Sequence, residues 1–371
     1  MTKSLHYISF AFLGVLILAR FGDAQTVPLD SSQWEIQAKE SRVEDHLGRK
    51  SPYLKGGLAV VKDSKFTDGV IEFDIAFSQE RGFMGAVWRM QDFENYEEFY
   101  LRPHQSGNPD ANQYQPVFNG LAAWQLYYGE AFSAPTSYDF NQWIHIKIAV
   151  AGKNADVYIK DMQVPALFVE ELKREIKPGR VGLSVGEFAP AYFSNFSFTE
   201  EKNLQLKGKP KKQEPTPEGM VMSWTVSSAF AEKSLENKYT LQQADVENLV
   251  WKKLTCENNG VANLARLQGL KNGNTVFARL SIVSELDQIK KVRFGFSDNA
   301  KVYFNKQLIY GGSDVYRSRD YRFLGTIGLY DELYLPLKKG DNEFLIAVTE
   351  NFGGWGVKAQ IENRDGIRIV E

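Results

Sequence analysis

The sequence predicts an all-β fold, made of two antiparallel β-sandwich (jelly-roll) domains joined by a short linker. Three observations predict it. Short runs of period-2 hydrophobicity recur along the chain, and turn signals rich in Gly, Asn and Pro separate them at sandwich-like spacing. The stretch from Glu200 to Gly219 is charged, carries Pro210, Pro215 and Pro217 and holds almost no apolar residues, so it cannot build a core and divides the chain.

In order along the chain, residues 1–24 read as a signal peptide. Lys3 supplies the positive start, Ile8 to Ala19 the apolar core, Arg20 its end, and Gly22 and Ala24 the small residues before cleavage. The apolar run is shorter than the ~20 residues a membrane-spanning helix needs, so the expectation is a secreted or periplasmic protein with no membrane attachment after cleavage. Roughly 350 residues then remain, enough for two domains: a sandwich over 25–200, a linker over 201–219 and a jelly roll over 220–371.

In the first, Val70 to Phe77 alternates cleanly, with Ile71, Phe73 and Ile75 on one face and Glu72 and Asp74 on the other. Gly85 to Met90, Tyr96 to Arg102, Trp143 to Val150, Ala155 to Ile159, Val181 to Val185 and Tyr192 to Phe198 follow as strands, with turns at Gly152-Lys153-Asn154 and Lys177-Pro178-Gly179. Phe168 to Ile176 reads as a short helix. In the second, Met220 to Trp224, Thr275 to Val283, Lys291 to Phe296, Lys301 to Phe304, Gln307 to Tyr310, Leu333 to Leu337, Asn342 to Val348 and Val357 to Ile361 read as strands, and Leu241 to Lys253 as a helix. Asn305-Lys306 marks a tight hairpin.

Composition narrows the function. The net charge is −2 with no strongly basic stretch, which argues against nucleic acid as a partner. Aromatic content is 13%, from 17 Tyr, 25 Phe and 7 Trp, and suits either sandwich cores or surfaces that stack on flat ligands. Cys256 is the one cysteine, so no intrachain disulfide forms, and without a His partner it reads as a small buried hydrophobe. The sequence holds no phosphate-binding loop, dinucleotide fingerprint, nucleophile elbow or zinc spacing, and His46, His104 and His145 are scattered.

The segments Phe66-Thr67-Asp68-Gly69-Val70-Ile71-Glu72-Phe73-Asp74, Asn141-Gln142-Trp143-Ile144-His145-Ile146-Lys147, Gly179-Arg180-Val181-Gly182-Leu183 and Phe193-Ser194-Asn195-Phe196 resemble the concanavalin-A/laminin-G-like sandwich, including its keto-disaccharide-hydrolase-like branch. Gly295-Phe296-Ser297-Asp298-Asn299, Val302-Tyr303-Phe304-Asn305, Leu335-Pro336-Leu337 and Gly353-Gly354-Trp355-Gly356 resemble a galactose-binding-like jelly roll. Those resemblances imply a lectin-like, carbohydrate-binding protein or a glycosidase, at the level of fold only.

Alternation around Asn95 to Gln105 places Phe99 and Leu101 toward the core and Tyr96, Glu98, Tyr100, Arg102 and His104 on the other face. Aromatic rings stack on sugar rings, and Arg and Glu bond to hydroxyls, so this face is the candidate ligand site. Arg89 is expected on the neighbouring strand and Trp124, Gln125 and Tyr127 at the rim. The plainer alternative is an ordinary solvated face with cross-strand pairs.

Glu72 and Asp74 match the first two acids of a laminarinase-like catalytic strand, but Ala76 or Phe77 stands where the third is required. Glu98, Glu72 and Asp74 are therefore only weak catalytic candidates. Asp110 and Asn112, in a polar loop, are weak calcium ligands; no other cofactor is expected. In the second half Asp298, Arg317, Arg319, Asp320 and Trp355 are candidates for polyol binding, with an internal Arg319–Asp320 salt bridge as the alternative. The expected function is an exported, non-catalytic carbohydrate-binding protein with a glycan or oligosaccharide as partner; a glycoside hydrolase or sugar lyase, and a structural or adhesive protein, remain alternatives. The oligomeric state is left open.

Overall fold

The computed structural model describes residues 25–28, 32–212 and 214–370. The signal-peptide reading falls on residues 1–24, outside the described residues.

Strands of alternating pattern bury one side and wet the other, so two such sheets close on each other. In the first half one layer runs, in pairing order, Leu167–Val169, Asn154–Ile159, Ile144–Ala151, Gly69–Ala76 and Ala191–Glu200. The other runs Arg180–Val185, Met84–Asp92, Asn95–Leu101, Asn112–Phe118 and Leu121–Ala122, and the pairs are antiparallel. Strand Arg49–Val61 joins the layers: Tyr53 and Leu54 pair with Ala191–Glu200, whereas Gly57 to Val60 pair with Arg180–Val185. It bends at Gly56 and Gly57, which have φ of 66° and 158°. A side chain on Gly57 would collide with the Gln37 carbonyl of the neighbouring strand Trp34–His46.

The registers expected from alternation hold. Ile71, Phe73 and Ile75 enter the core from one layer, and Phe99 and Leu101 from the other. The outer faces of the two layers therefore carry the opposite sets: Glu72 and Asp74 on one, Tyr96, Glu98 and Tyr100 on the other.

The second half is a sandwich of a seven-stranded and a four-stranded sheet. Its core includes Trp224, Phe294, Phe296 and Trp355. Asn305 and Lys306 turn the hairpin between Asn299–Phe304 and Gln307–Ser313 with φ of 47° and 70°, the left-handed pair that a two-residue hairpin requires.

Neither expected helix forms. Leu167–Val169 is an edge strand on Asn154–Ile159, and only a short 3-10 turn, Gln243–Asp245, lies within the other segment, which ends in strand Trp251–Thr255. From that segment Leu241, Val246 and Leu249 instead pack with Phe277, Tyr303 and Leu345 on the outside of the seven-stranded sheet, so its apolar residues serve a covering segment.

Part of the Pro-rich segment lies against the first sandwich. The Lys207 and Gly208 amides donate to the buried Asp156 carboxylate, at 2.6 and 3.1 Å. The halves also touch directly. The loop after Leu121–Ala122 packs Ala123, Leu126 and Tyr127 against Val261. Gln125 donates to the Leu324 carbonyl at 2.8 Å, and its own carbonyl accepts from the Ile327 amide at 3.1 Å.

Candidate functional site

The outer face of strand Asn95–Leu101 forms the floor of a cleft of about 540 Å3. Tyr96, Glu98 and Tyr100 line it from the strand, and Arg102 and His104 from the chain that follows. Phe83 and Phe188 stand on one wall. Tyr316, Leu324 and Phe352, from the second half, stand on another, so the site is shared between the halves. The volume lies within the range of small-molecule sites.

The floor is held by an interior hydrogen-bond lattice. Arg102, 5% exposed, donates to the Tyr100 hydroxyl at 2.7 Å, to the Asp110 carbonyl at 2.8 Å and to the Gln113 side-chain oxygen. Gln113 in turn donates to the Trp124 carbonyl at 3.0 Å and to the Tyr127 carbonyl, which fixes the rim loop. Trp124 lines the cleft with its ring edge-on to Phe352, 6.0 Å between centroids.

Glu98 accepts from the Gln115 amide at 2.6 Å and, among the described residues, forms no ion pair. Burial pushes its carboxyl above the ordinary carboxylate range, and the Gln115 and Ser184 donors offset only part of that rise. His104 is held below its ordinary value by burial and by the guanidiniums of Arg81 and Arg102. Its Nδ1 and the Gln115 side-chain oxygen are buried and have no hydrogen-bond partner among the described residues. Such atoms cost free energy unless something satisfies them.

Arg89, Gln125 and Tyr127, expected at this site, lie elsewhere, Gln125 being 1% exposed and bonded to the Leu324 carbonyl. Arg89 is 1% exposed and points away, donating to the Thr67 carbonyl at 2.8 Å and to Asp68 at 2.9 Å. The strand bulges there: Arg89 has φ 47° and the register slips between Trp88 and Asp92, which brings Met90 to the outer face in its place. Tyr127 is 1% exposed and bonds to Glu257 of the second half, so it belongs to the junction rather than the rim. Glu97 turns inward beside Phe99 and accepts from the Tyr114 hydroxyl at 2.6 Å.

The other candidates fall outside the cleft. Asp74 accepts from Arg49 at 2.5 Å and from His145 and Asn195 at 2.7 Å each. Burial works to raise its value, but these three donors outweigh it and hold the carboxyl below its ordinary range. Glu72 lies 3.6 Å from the same His145. Both acids face out from the layer opposite the cleft, and Asp74, expected to be wet, is only 8% exposed.

Asn112 is fully buried and donates to the Ala134 carbonyl at 2.9 Å, whereas Asp110 lines the cleft. Among the described residues no group of three or more His, Cys, Asp or Glu is placed to hold a metal ion. In the second half Arg319 pairs with Asp314 and Asp331, not with Asp320, and Asp320 pairs with Arg322 at 3.1 Å. Arg317 lies over the Tyr316 ring, 4.9 Å from its centroid. Trp355 is fully buried and donates to the Val348 carbonyl at 3.0 Å. Asp298 is buried beneath Asn351 and Phe352, whose amides donate to it at 2.7 and 2.6 Å; burial pushes it up to about 6, and neighbouring Glu350 up to about 8. Cys256 is buried, which pushes its thiol up to about 12 and keeps it unreactive.

No family model and no curated protein matches this chain. Solved structures do match in part. One is the carbohydrate binding module CBM66 from Bacillus subtilis, 18% identical, covering 45% of this chain and 96% of that one at a TM-score of 0.35. A second is a protein of unknown function with a galectin-like fold from Bacillus subtilis, 10% identical, covering 46% and 90% at 0.34. A third is a Bacillus licheniformis beta-glucanase, 8% identical, covering 49% and 99% at 0.36. At such low scores these likenesses carry no weight for function.

Proposed function

We propose that the cleft between the two halves is a carbohydrate-binding site and that the protein is an exported, non-catalytic glycan-binding protein. One observation carries the reading. Trp124, Tyr100, Phe83 and Phe352 crowd a single cleft together with polar groups the protein leaves unsatisfied, His104 Nδ1 and the Gln115 side-chain oxygen. Sugar rings offer apolar faces to aromatic side chains and hydroxyls to such groups. Export rests on the signal-like pattern of residues 1–24 alone.

The test is a glycan array with the full chain, followed by titration calorimetry of the hits against wild type and Trp124→Ala. Binding of a short oligosaccharide that Trp124→Ala weakens tenfold or more supports the reading; a wild-type chain that binds no glycan sinks it.

A second reading, a glycoside hydrolase or other sugar-cleaving enzyme, is favoured by Glu98. A carboxyl in a cleft, whose hold on its proton burial strengthens, is suited to general-acid work. Hydrolysis of a bound oligosaccharide that stops in Glu98→Gln, with the fold intact, would establish it; binding without turnover supports the leading reading.

A further inference from the structure

We propose that Asp298, buried beneath the cleft wall, is a positioning residue for the carbohydrate site: its carboxylate anchors the loop that carries Phe352 and braces Trp124. The inference rests on the reading of the cleft as a carbohydrate site and assigns a residue that acts on it without touching the ligand.

Phe352 is 57% exposed, so packing does little to fix its ring, and the backbone beneath it sets where the ring stands. That backbone is anchored from below. The Asn351 and Phe352 amides donate to the same carboxylate oxygen of Asp298, at 2.7 and 2.6 Å. Asp298 is 0% exposed and does not line the cleft, so it acts through the loop.

The loop continues into the rim of the cleft. The Gly353 carbonyl accepts from the Gln125 amide at 3.0 Å. A side chain on Gly353 would collide with the side chain of Gln125 and the indole nitrogen of Trp124. The Phe352 and Trp124 rings meet edge-on, 6.0 Å between centroids. Displacing the loop therefore moves Phe352 and withdraws support from Trp124 together.

A carboxylate holds two amides better than its protonated form does, because charge-assisted hydrogen bonds are about twice as strong as neutral ones. The anchor is thus sensitive to its own ionisation. Burial pushes Asp298 up to about 6, against the pull of the Phe352 and Asn351 amides and Ser297. Two further acids face it: Asp314, after strand Gln307–Ser313, and Glu350, after strand Gly340–Thr349. Glu350 is pushed up to about 8 by burial and by Asp298, so it is largely neutral where Asp298 titrates. Arg319 is engaged by Asp314 and Asp331. The first half meets this cluster with the neutral Gln125, whose side-chain oxygen accepts from Ser297 at 3.3 Å. Acidification through the Asp298 value removes the charge that holds the two amides and loosens the wall.

The test pairs NMR of the free protein with titration calorimetry of lactose, cellotriose and xylotriose into the full chain. In wild type the Asn351 and Phe352 amide protons are expected to shift together as pH falls through about 6, and in Asp298→Asn to hold still. Affinity for whichever sugar binds is expected to fall about threefold or more between pH ~7 and pH ~5. Asp298→Ala, which keeps neither amide bond, is expected to bind about fivefold or more weakly at pH ~7. Asp298→Asn keeps an acceptor oxygen but no charge, so it should fall between Asp298→Ala and wild type. Glu98 and His104 titrate in the cleft as well, so the part of the pH profile that Asp298→Asn removes is the part read. Wild-type amide protons that do not move, a folded Asp298→Ala that binds like wild type, or a full pH profile in Asp298→Asn overturns the inference and leaves the carbohydrate site standing. If Asp298→Ala does not fold, the amide titration and the Asp298→Asn profile decide. If none of the three sugars binds wild type, the carbohydrate reading fails and the inference with it.

Discussion

The two outer faces of the first sandwich carry the same kinds of side chain and use them in opposite ways. On the face of strand Gly69–Ala76, Asp74 is met by Arg49, His145 and Asn195, and His145 also lies beside Glu72. On the face of strand Asn95–Leu101, Arg102 and Glu98 hydrogen-bond only to neutral groups among the described residues, and His104 Nδ1 to none. The fold closes its charges on the first face and leaves them open on the second. Charges satisfied inside the protein stabilise the sandwich; charges left open in a cleft are available to a ligand.

The comparison can be broken in several ways. The largest expected effect is on what links the faces. Gly57→Val drives a side chain into the Gln37 carbonyl at the bend of the shared strand and should cost about 3 kcal/mol or more, seen as a large fall in the urea midpoint. Next, Trp124→Ala should weaken glycan binding by about 2 kcal/mol while the midpoint barely moves, because the ring lines the cleft rather than the core.

Asp74→Asn should do the reverse, leaving binding intact and costing about 1–2 kcal/mol at pH 7, a figure kept low because Arg49 and His145 are partly exposed. Asp74 is held below its ordinary value, so its contribution is complete above pH ~4 and is lost as pH falls through the lower folded value. Wild type and Asp74→Asn should therefore converge in acid.

Glu98 carries the opposite sign. The folded chain holds its proton more tightly than the unfolded chain does, so the cost of ionising it is absent below pH ~4 and grows as pH rises toward the folded value. Glu98→Gln should match wild type in acid and gain up to about 1 kcal/mol on it at neutral pH, in urea melts run across that range. The smallest effect is expected from Phe352→Ala, about 0.5–1 kcal/mol of binding, since that ring stands exposed on the far wall.

Much of the first sandwich was legible because a period of two leaves only one way to sort Phe99 and Leu101 from Tyr96, Glu98 and Tyr100. Departures from that period were not. Arg89 left the face through a bulge, a backbone choice that its side chain does not announce. Glu97 follows the period inward beside Phe99, but the partners that let a carboxyl sit there, Tyr114 and the Arg174 amide, are distant in the chain. The walls of the cleft come from separate loops, bearing Phe83, Phe188, Tyr316 and Phe352, and local pattern carries no information on which loops meet. The apolar residues of the expected helix, Leu241, Val246 and Leu249, instead cover a sheet. The positive φ at Asn305 and Lys306, by contrast, was readable from the turn residues themselves.

The central claim is that ligand binding belongs to the face whose charges are left open. It is tested most directly by titrating one glycan hit into wild type, Trp124→Ala and Glu72→Gln, the last being a change on the closed face. The account predicts that wild type and Glu72→Gln bind alike and that Trp124→Ala binds at least tenfold more weakly. Loss of binding in Glu72→Gln with retention in Trp124→Ala would contradict it.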